Sequence, residues 1–80
     1  MELGDYVRAE KVDGESREER DGVYLGDEGP SHVILRSDLG RDYTCYKNGA
    51  RVIPVERCSS DRRAFIESVR KSMRRRVALT

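Results

Sequence analysis

Hydrophobic and polar residues alternate over much of the first two thirds of the chain. In the first segment, Leu3, Val7 and Ala9 alternate with tyrosine, arginine and glutamate, which is the period of a half-buried strand. The pattern predicts five strands, at residues 3–12, 22–27, 32–37, 41–47 and 51–57. Short strands separated by tight turns are typical of all-β barrels and sandwiches.

The segments between these strands carry turn residues. Residues 13–22 contain no apolar side chain and include two glycines, which predicts a long hairpin loop. Asn48-Gly49 is a strong signal for a tight hairpin. Pro54 lies inside the fifth segment, and we expect it at an edge or a bulge because proline cannot donate to a ladder. Five such strands favour a small closed barrel, which has no exposed edges.

One amphipathic helix is predicted after the strands. Ser59, Ser60 and Asp61 are all good N-cap residues. Apolar residues then recur at helical spacing and form one face of the helix: Phe65, Ile66, Val69, Met73 and Val77. The sequence therefore predicts a mainly β protein, with a barrel at residues 1–58 and a basic helix at residues 59–80. The helix packs on the same domain or on a second subunit.

The strand order and the long charged first loop resemble the SH3-like and Sm-like small barrels. The resemblance covers residues 3–57 and rests on four stretches: Gly4-Asp5-Tyr6-Val7, Gly22-Val23-Tyr24-Leu25-Gly26, Val33-Ile34-Leu35 and Val52-Ile53-Pro54-Val55. Sm proteins carry their helix before the barrel, whereas here it follows, and no Sm RNA-binding residue is carried over. In its length and arginine-rich composition, the chain also resembles the accessory proteins of phages. Members of these fold groups bind many kinds of ligand, so the fold does not select a function.

Composition bears on stability and location. Of 80 residues, 36% are hydrophobic and 39% are charged, so the core is thin and a staple or a partner subunit is expected. Cys45 and Cys58 follow no secretory signal, which predicts free thiols and a cytoplasmic location (the host cytoplasm if the chain is phage-encoded).

A helix of about 18 residues spans about 27 Å and would overrun the barrel, which predicts a homodimer through Met73, Val77 and Leu79.

Charge is distributed unevenly along the chain. Residues 1–57 contain 13 acidic and 9 basic residues, a net charge of −4, and residues 58–80 contain 2 acidic and 7 basic residues, a net charge of +5. This asymmetry indicates that the helix meets an acidic surface, either its own barrel or a partner. The helix arginines are candidates for contact with phosphate or with an acidic partner: Arg63, Arg70, Arg74 and Arg75.

The sequence contains little that points to catalysis. His32, Cys45 and Cys58 lack the spacing of a metal site, and the glycines form no phosphate-binding loop. The run Cys58-Ser59-Ser60-Asp61 fits a helix cap better than a nucleophile with its base. We therefore expect neither an enzyme nor a cofactor.

Strand tyrosines are the most suggestive binding residues. Tyr6, Tyr24 and Tyr46 are predicted on the face opposite the core residues, beside Arg8 and Arg36. They could anchor a protein interface, stack on nucleic-acid bases, or pack under the C-terminal helix. The favoured hypothesis is a non-enzymatic protein-interaction or inhibitor protein, and the alternative is a nucleic-acid or nucleotide binder.

Overall fold

The computed structural model describes residues 1–78, with side chains as far as Arg74. It contains five strands, a 3-10 helix and a C-terminal α-helix, which confirms the predicted mainly β order. The strands are β1 (Tyr6–Glu10), β2 (Glu19–Glu28), β3 (His32–Arg36), β4 (Asp42–Tyr46) and β5 (Arg51–Val52). The 3-10 helix spans Val55–Arg57, and α1 spans Ser60–Ala78.

The strands form one antiparallel sheet in the order β4-β3-β2-β1-β5. Because the sheet is open in the described part of the chain, the predicted closure into a barrel is not confirmed. A single isolated bridge, between Lys11 and Cys45, links the chain beyond β1 to β4. Beside it, the N–H of Val12 donates to the carbonyl of Thr44 at 2.9 Å.

All five strands differ from their predicted bounds, and the largest differences are in β1, β2 and β5. β1 covers Tyr6–Glu10 rather than residues 3–12. β2 begins at Glu19 rather than Gly22, since the ladder with β1 extends to the pair Glu10 and Glu19. The charged segment before Gly22 is therefore partly strand and not all loop. β5 contains only two residues, because Pro54 adopts an extended conformation just before the 3-10 helix and has no N–H to continue a ladder.

The β1–β2 ladder is buried on both of its faces. The inner face carries one apolar cluster, formed by Val7, Ala9, Tyr24, Val33, Leu35 and Cys45. The outer face carries a second cluster, formed by Tyr6 and Val23 with Ile66 and Val69 of α1. Successive side chains of a strand point to opposite faces, so β1 and β2 each contribute to both clusters.

Two glycines allow β2 to pass between the clusters. A Cβ atom on Gly22 would lie 2.6 Å from the carbonyl oxygen of Arg36, so only glycine allows this close approach. Gly26 has a φ of 137° and lies where the pairing with β3 shifts register. A bulge of this kind increases the local bend of a strand.

Helix α1 packs against its own sheet. The Ser59 hydroxyl accepts from the Arg62 N–H at 3.2 Å and caps the first turn. Ile66 and Val69 are buried, and Phe65 and Met73 pack against the same cluster while partly exposed. Helix α1 thus contacts the sheet of its own chain. None of the helices in residues 1–78 has the length and apolar character needed to cross a membrane.

Candidate functional site

The three predicted binding tyrosines do not share an exposed face. Tyr6 is 3% exposed and Tyr24 is 8% exposed, whereas Tyr46 is 40% exposed. The expectation of exposure is therefore wrong for Tyr6 and Tyr24, whose rings are core components. Tyr46 alone among the three presents its ring to solvent.

Strand register explains this outcome. Tyr6 pairs directly with Val23, and residues that are directly opposite in an antiparallel ladder lie on the same face. Tyr24, the next residue of β2, must therefore point to the other face, where its hydroxyl donates to Asp27. Tyr6 instead lies under α1, which was one of the three alternatives for these residues.

A half-buried polar network joins Tyr6 to the helix. The Tyr6 hydroxyl donates to Asp21 at 3.2 Å and accepts from Arg62 Nη1 at 2.6 Å. Arg8 donates to both carboxylate oxygens of Asp21, from Nε at 2.6 Å and from Nη2 at 2.9 Å. Burial and the neighbouring Asp21 carboxylate raise the pKa of Tyr6 to about 12, and the bonds from Arg8 lower the pKa of Asp21. Arg8 is thus committed to an internal contact.

The other predicted arginines are also partly engaged. Arg36 donates to Asp42 from Nε at 2.8 Å and from Nη2 at 3.2 Å. On the helix, Arg70 Nε donates to the Gly4 carbonyl at 2.8 Å, and Arg74 lies 3.3 Å from a Glu67 oxygen. Arg63 is exposed. These contacts leave Arg63 as the freest described member of the predicted basic surface.

Three predicted residues fall outside the described side chains. The side chains of Arg75 and Val77, and the whole of Leu79, lie beyond the described part. Met73, the remaining residue of the predicted dimer surface, packs against the outer cluster of its own chain. Self-association through this end of the helix stays a prediction.

Tyr46 lies in a shallow polar trough that crosses the end of the sheet. We define the trough as two adjoining cavities, of about 370 and 380 Å³, that share Glu10 and Asn48. The remaining lining of the first cavity is Gly14, Ser16, Arg17 and Tyr46. The remaining lining of the second is Ala9, Glu19, Gly49 and Arg51. The walls are therefore the loop after β1 on one side and the turn between β4 and β5 on the other.

The Tyr46 ring pairs with the ring of His32. The His32 and Tyr46 centroids are 5.5 Å apart, with the planes tilted by 37°, and the two residues are direct partners in the β3–β4 ladder. A tilted aromatic pair of this kind is stabilising. Tyr46 therefore adds an aromatic ring with an aromatic neighbour to a trough lined mostly by polar residues.

The trough also contains an unfavourable charge pair. Glu10 and Glu19 face each other at the end of the β1–β2 ladder, and like charges in that position destabilise a sheet. Glu19 lies 3.8 Å from Arg51 and 4.0 Å from Arg8. No described side chain forms an ion pair or hydrogen bond with Glu10. Glu10 is exposed, and Arg17 and Arg51 line the same two cavities.

Sequence reasoning missed the trough because its residues are distant in the chain. Glu10, Arg17 and Asn48 have no shared spacing or motif. One signal was present: Glu10 and Glu19 stand at the two ends of the polar segment, and a hairpin there can bring them together.

The structure offers little for metal or thiol chemistry. Within residues 1–78, no group of three or more His, Cys, Asp or Glu side chains is arranged to hold a metal ion. Cys45 and Cys58 are free thiols, and burial raises the pKa of Cys45.

No protein-family model, no curated protein and no solved structure matches this chain.

Proposed function

We propose that this protein is a non-enzymatic protein-binding module and that the trough is its binding surface. The observation that carries the proposal is Tyr46, which is 40% exposed and lines a surface cavity together with Arg17. Tyrosine and arginine, with tryptophan, are the residue types most enriched at the energetic centres of protein interfaces.

The same geometry disfavours the nucleic-acid alternative. Stacking of successive bases needs several exposed rings on one surface, and Tyr6 and Tyr24 are buried. The loop that walls the trough is acidic on balance, since residues 10–19 contain five carboxylates and two basic side chains. The charged side chains that line the trough are two acidic and two basic, which gives no net positive charge to attract phosphate, so a protein partner is the better candidate.

Site-specific photocrosslinking tests the proposal. A photoreactive amino acid replaces Asn48 in the trough, and a matched control carries it at Arg41, which is exposed and lines neither cavity. In nuclease-treated extract from the source organism, we expect a discrete crosslinked protein from the first position only. Tyr46→Ala should abolish that product. Equal products from both positions, or a product that disappears with nuclease, would contradict the proposal.

Three further features belong to the same proposal. The bridge between Lys11 and Cys45 supports closure into an SH3-like or Sm-like barrel. A cytoplasmic location draws support from the two free thiols. A homodimer through Met73, Val77 and Leu79 predicts a species of twice 9.2 kDa in light scattering. Val77→Asp combined with Leu79→Asp should then give a folded monomer.

A further inference from the structure

One side of α1 concentrates positive charge. Residues three or four positions apart lie on the same side of a helix, and this spacing brings together Arg63, Glu67, Arg70, Lys71 and Arg74. We call these five residues the basic stripe. The stripe carries four cations and one carboxylate, a net charge of +3, over about 16 Å of helix.

The described cations of the stripe form no ion pair with a carboxylate of the sheet. Arg70 donates to the carbonyl of Gly4 at 2.8 Å, which is a neutral acceptor. Arg74 lies 3.3 Å from Glu67, which belongs to the stripe itself. The other two cations of the stripe are exposed. The positive charge of the stripe is therefore not neutralised by contacts with its own sheet.

Carboxylates of the sheet are instead paired with cations of the sheet. The shortest such pairs between strands or their turns join Asp21 to Arg8, Asp42 to Arg36 and Asp27 to Lys47. The charge asymmetry of the sequence left two acidic surfaces open for the helix, which were its own strands and a partner. Because the described strands spend their close carboxylates on one another, the partner is the remaining candidate.

We infer that the basic stripe binds an acidic surface of a second protein. Charge complementarity selects this occupant, since the count of +3 includes only side chains on the stripe. Three of its four cations are arginines, whose planar guanidinium pairs with a carboxylate through two hydrogen bonds. The stripe shares no residue with the trough, so the inference goes beyond the proposed function and adds a second binding surface.

The position of Glu67 favours a protein over a nucleic acid. A phosphate backbone presents a negative charge at every step and would meet the Glu67 carboxylate in the middle of the stripe. A protein surface can place a donor opposite that carboxylate and acids on both sides of it. Residues 1–57 also carry a net charge of −4, and the sequence pI of about 7.8 is below that of basic nucleic-acid-binding domains.

Titration with short probes, followed by amide NMR shifts, tests the inference. The probes are acetyl-Gly-Glu-Glu-Ser-Glu-Glu-Gly-amide, the same peptide with glutamine for glutamate, and a thymidine pentanucleotide, whose four phosphates match the four glutamates in number. The salt concentration is about 0.15 M, at which charges more than about 8 Å apart are largely screened. We expect the glutamate peptide to shift the amides of the stripe saturably and to leave those of Tyr46 and Asn48 unchanged. The glutamine peptide should bind at least tenfold more weakly, and the pentanucleotide should bind more weakly than the glutamate peptide.

Substitutions in the stripe make predictions of opposite sign. Arg63→Gln and Lys71→Gln should each weaken the glutamate peptide by roughly two- to fivefold, as expected for one exposed ion pair. Glu67→Gln should strengthen it, because a negative charge leaves the stripe. The matched control is Arg41→Gln, which removes an exposed cation outside the helix and should leave the affinity unchanged. Melting temperatures of the Arg63 and Lys71 variants should equal that of the wild type, so a loss of binding does not reflect unfolding.

Four outcomes would overturn the inference. They are tighter binding of the pentanucleotide than of the glutamate peptide, an equal loss with Arg41→Gln, weaker binding with Glu67→Gln, and no shift with any probe. Light scattering tests a second copy as the occupant: a dimer that becomes a monomer when Arg63→Gln and Lys71→Gln are combined would assign the stripe to self-association and also overturn the inference. None of these results affects the crosslink from position 48, which tests the trough separately.

Discussion

The packing of α1 on the outer face of β1 and β2 makes Ile66 the most informative position for mutation. Ile66 is 1% exposed and packs in the cluster that contains Tyr6 and Val23. Ile66→Ala removes three carbon atoms, a transfer loss of about 2.4 kcal/mol at roughly 0.8 kcal/mol for each. The cavity left behind adds to this loss, and buried Ile→Ala substitutions cost about 2–5 kcal/mol in total. The higher helix propensity of alanine returns only a few tenths of a kcal/mol, so we expect a net loss of about 3 kcal/mol.

Urea unfolding followed by far-ultraviolet circular dichroism measures this loss. For a domain of this size a loss of 3 kcal/mol corresponds to a melting temperature lower by roughly 12 to 24 °C. Lys71→Ala is the matched control, because Lys71 is on the same helix and is exposed; its midpoint should not change. Equal midpoints for Ile66→Ala and Lys71→Ala would refute the docking of α1 described above. Phe65→Ala should fall between the two, since Phe65 is only half-buried.

Four other predictions follow from close contacts and buried groups. Gly22→Ala should lower the urea midpoint strongly, because the new methyl group would lie 2.6 Å from a backbone carbonyl oxygen of β3; Gly14→Ala, with open space around it, should cost less. Tyr6, with a pKa of about 12 against an ordinary 10.0, should ionise last among the tyrosines in an alkaline absorbance titration. The contribution of its protonated hydroxyl to the free energy of unfolding is complete below pH 10 and is lost as the pH rises towards 12. Asp21 has a lowered pKa, so it stabilises the fold above an unfolded pKa of about 3.9, and the stability lost in Asp21→Asn should shrink as the pH falls below that value. In the native protein, Cys58 should react with a thiol reagent much faster than Cys45, which is buried, and both should react in denaturant.

Local patterns in the sequence predicted the order of elements but not the assignment of faces. Alternation correctly placed Tyr6 opposite Val7 on β1. Alternation could not show that the Tyr24 side chain lies on the same face of the sheet as Val7 and not on the face of Tyr6. That assignment depends on the β1–β2 register, and a polar loop of irregular composition does not fix the register. Alternation also could not show that α1 covers the outer face, which turns a surface tyrosine into a core residue.

The candidate site was less predictable than the fold. Tyr46 was identified from composition and alternation, since an exposed aromatic on a strand is unusual enough to be noticed. Its neighbours Glu10, Arg17 and Asn48 become neighbours only when the β4–β5 turn folds back beside the loop after β1. Long-range proximity of this kind leaves no periodic trace in a single sequence.

Two polar contacts of α1, with β1 and with the residue Gly4 before it, join positions that are far apart in the chain. Arg62 contacts Tyr6 across 56 positions, and Arg70 contacts the Gly4 carbonyl across 66 positions. During translation the chain emerges from the ribosome N-terminus first, so β1 and β2 can pair well before α1 exists. Until α1 has been synthesised, the outer apolar surface of that ladder, including Tyr6 and Val23, has no cover. The burial of β1 therefore depends on α1, which is made after all five strands, and a product that stops before α1 would expose this surface to chaperones or to aggregation.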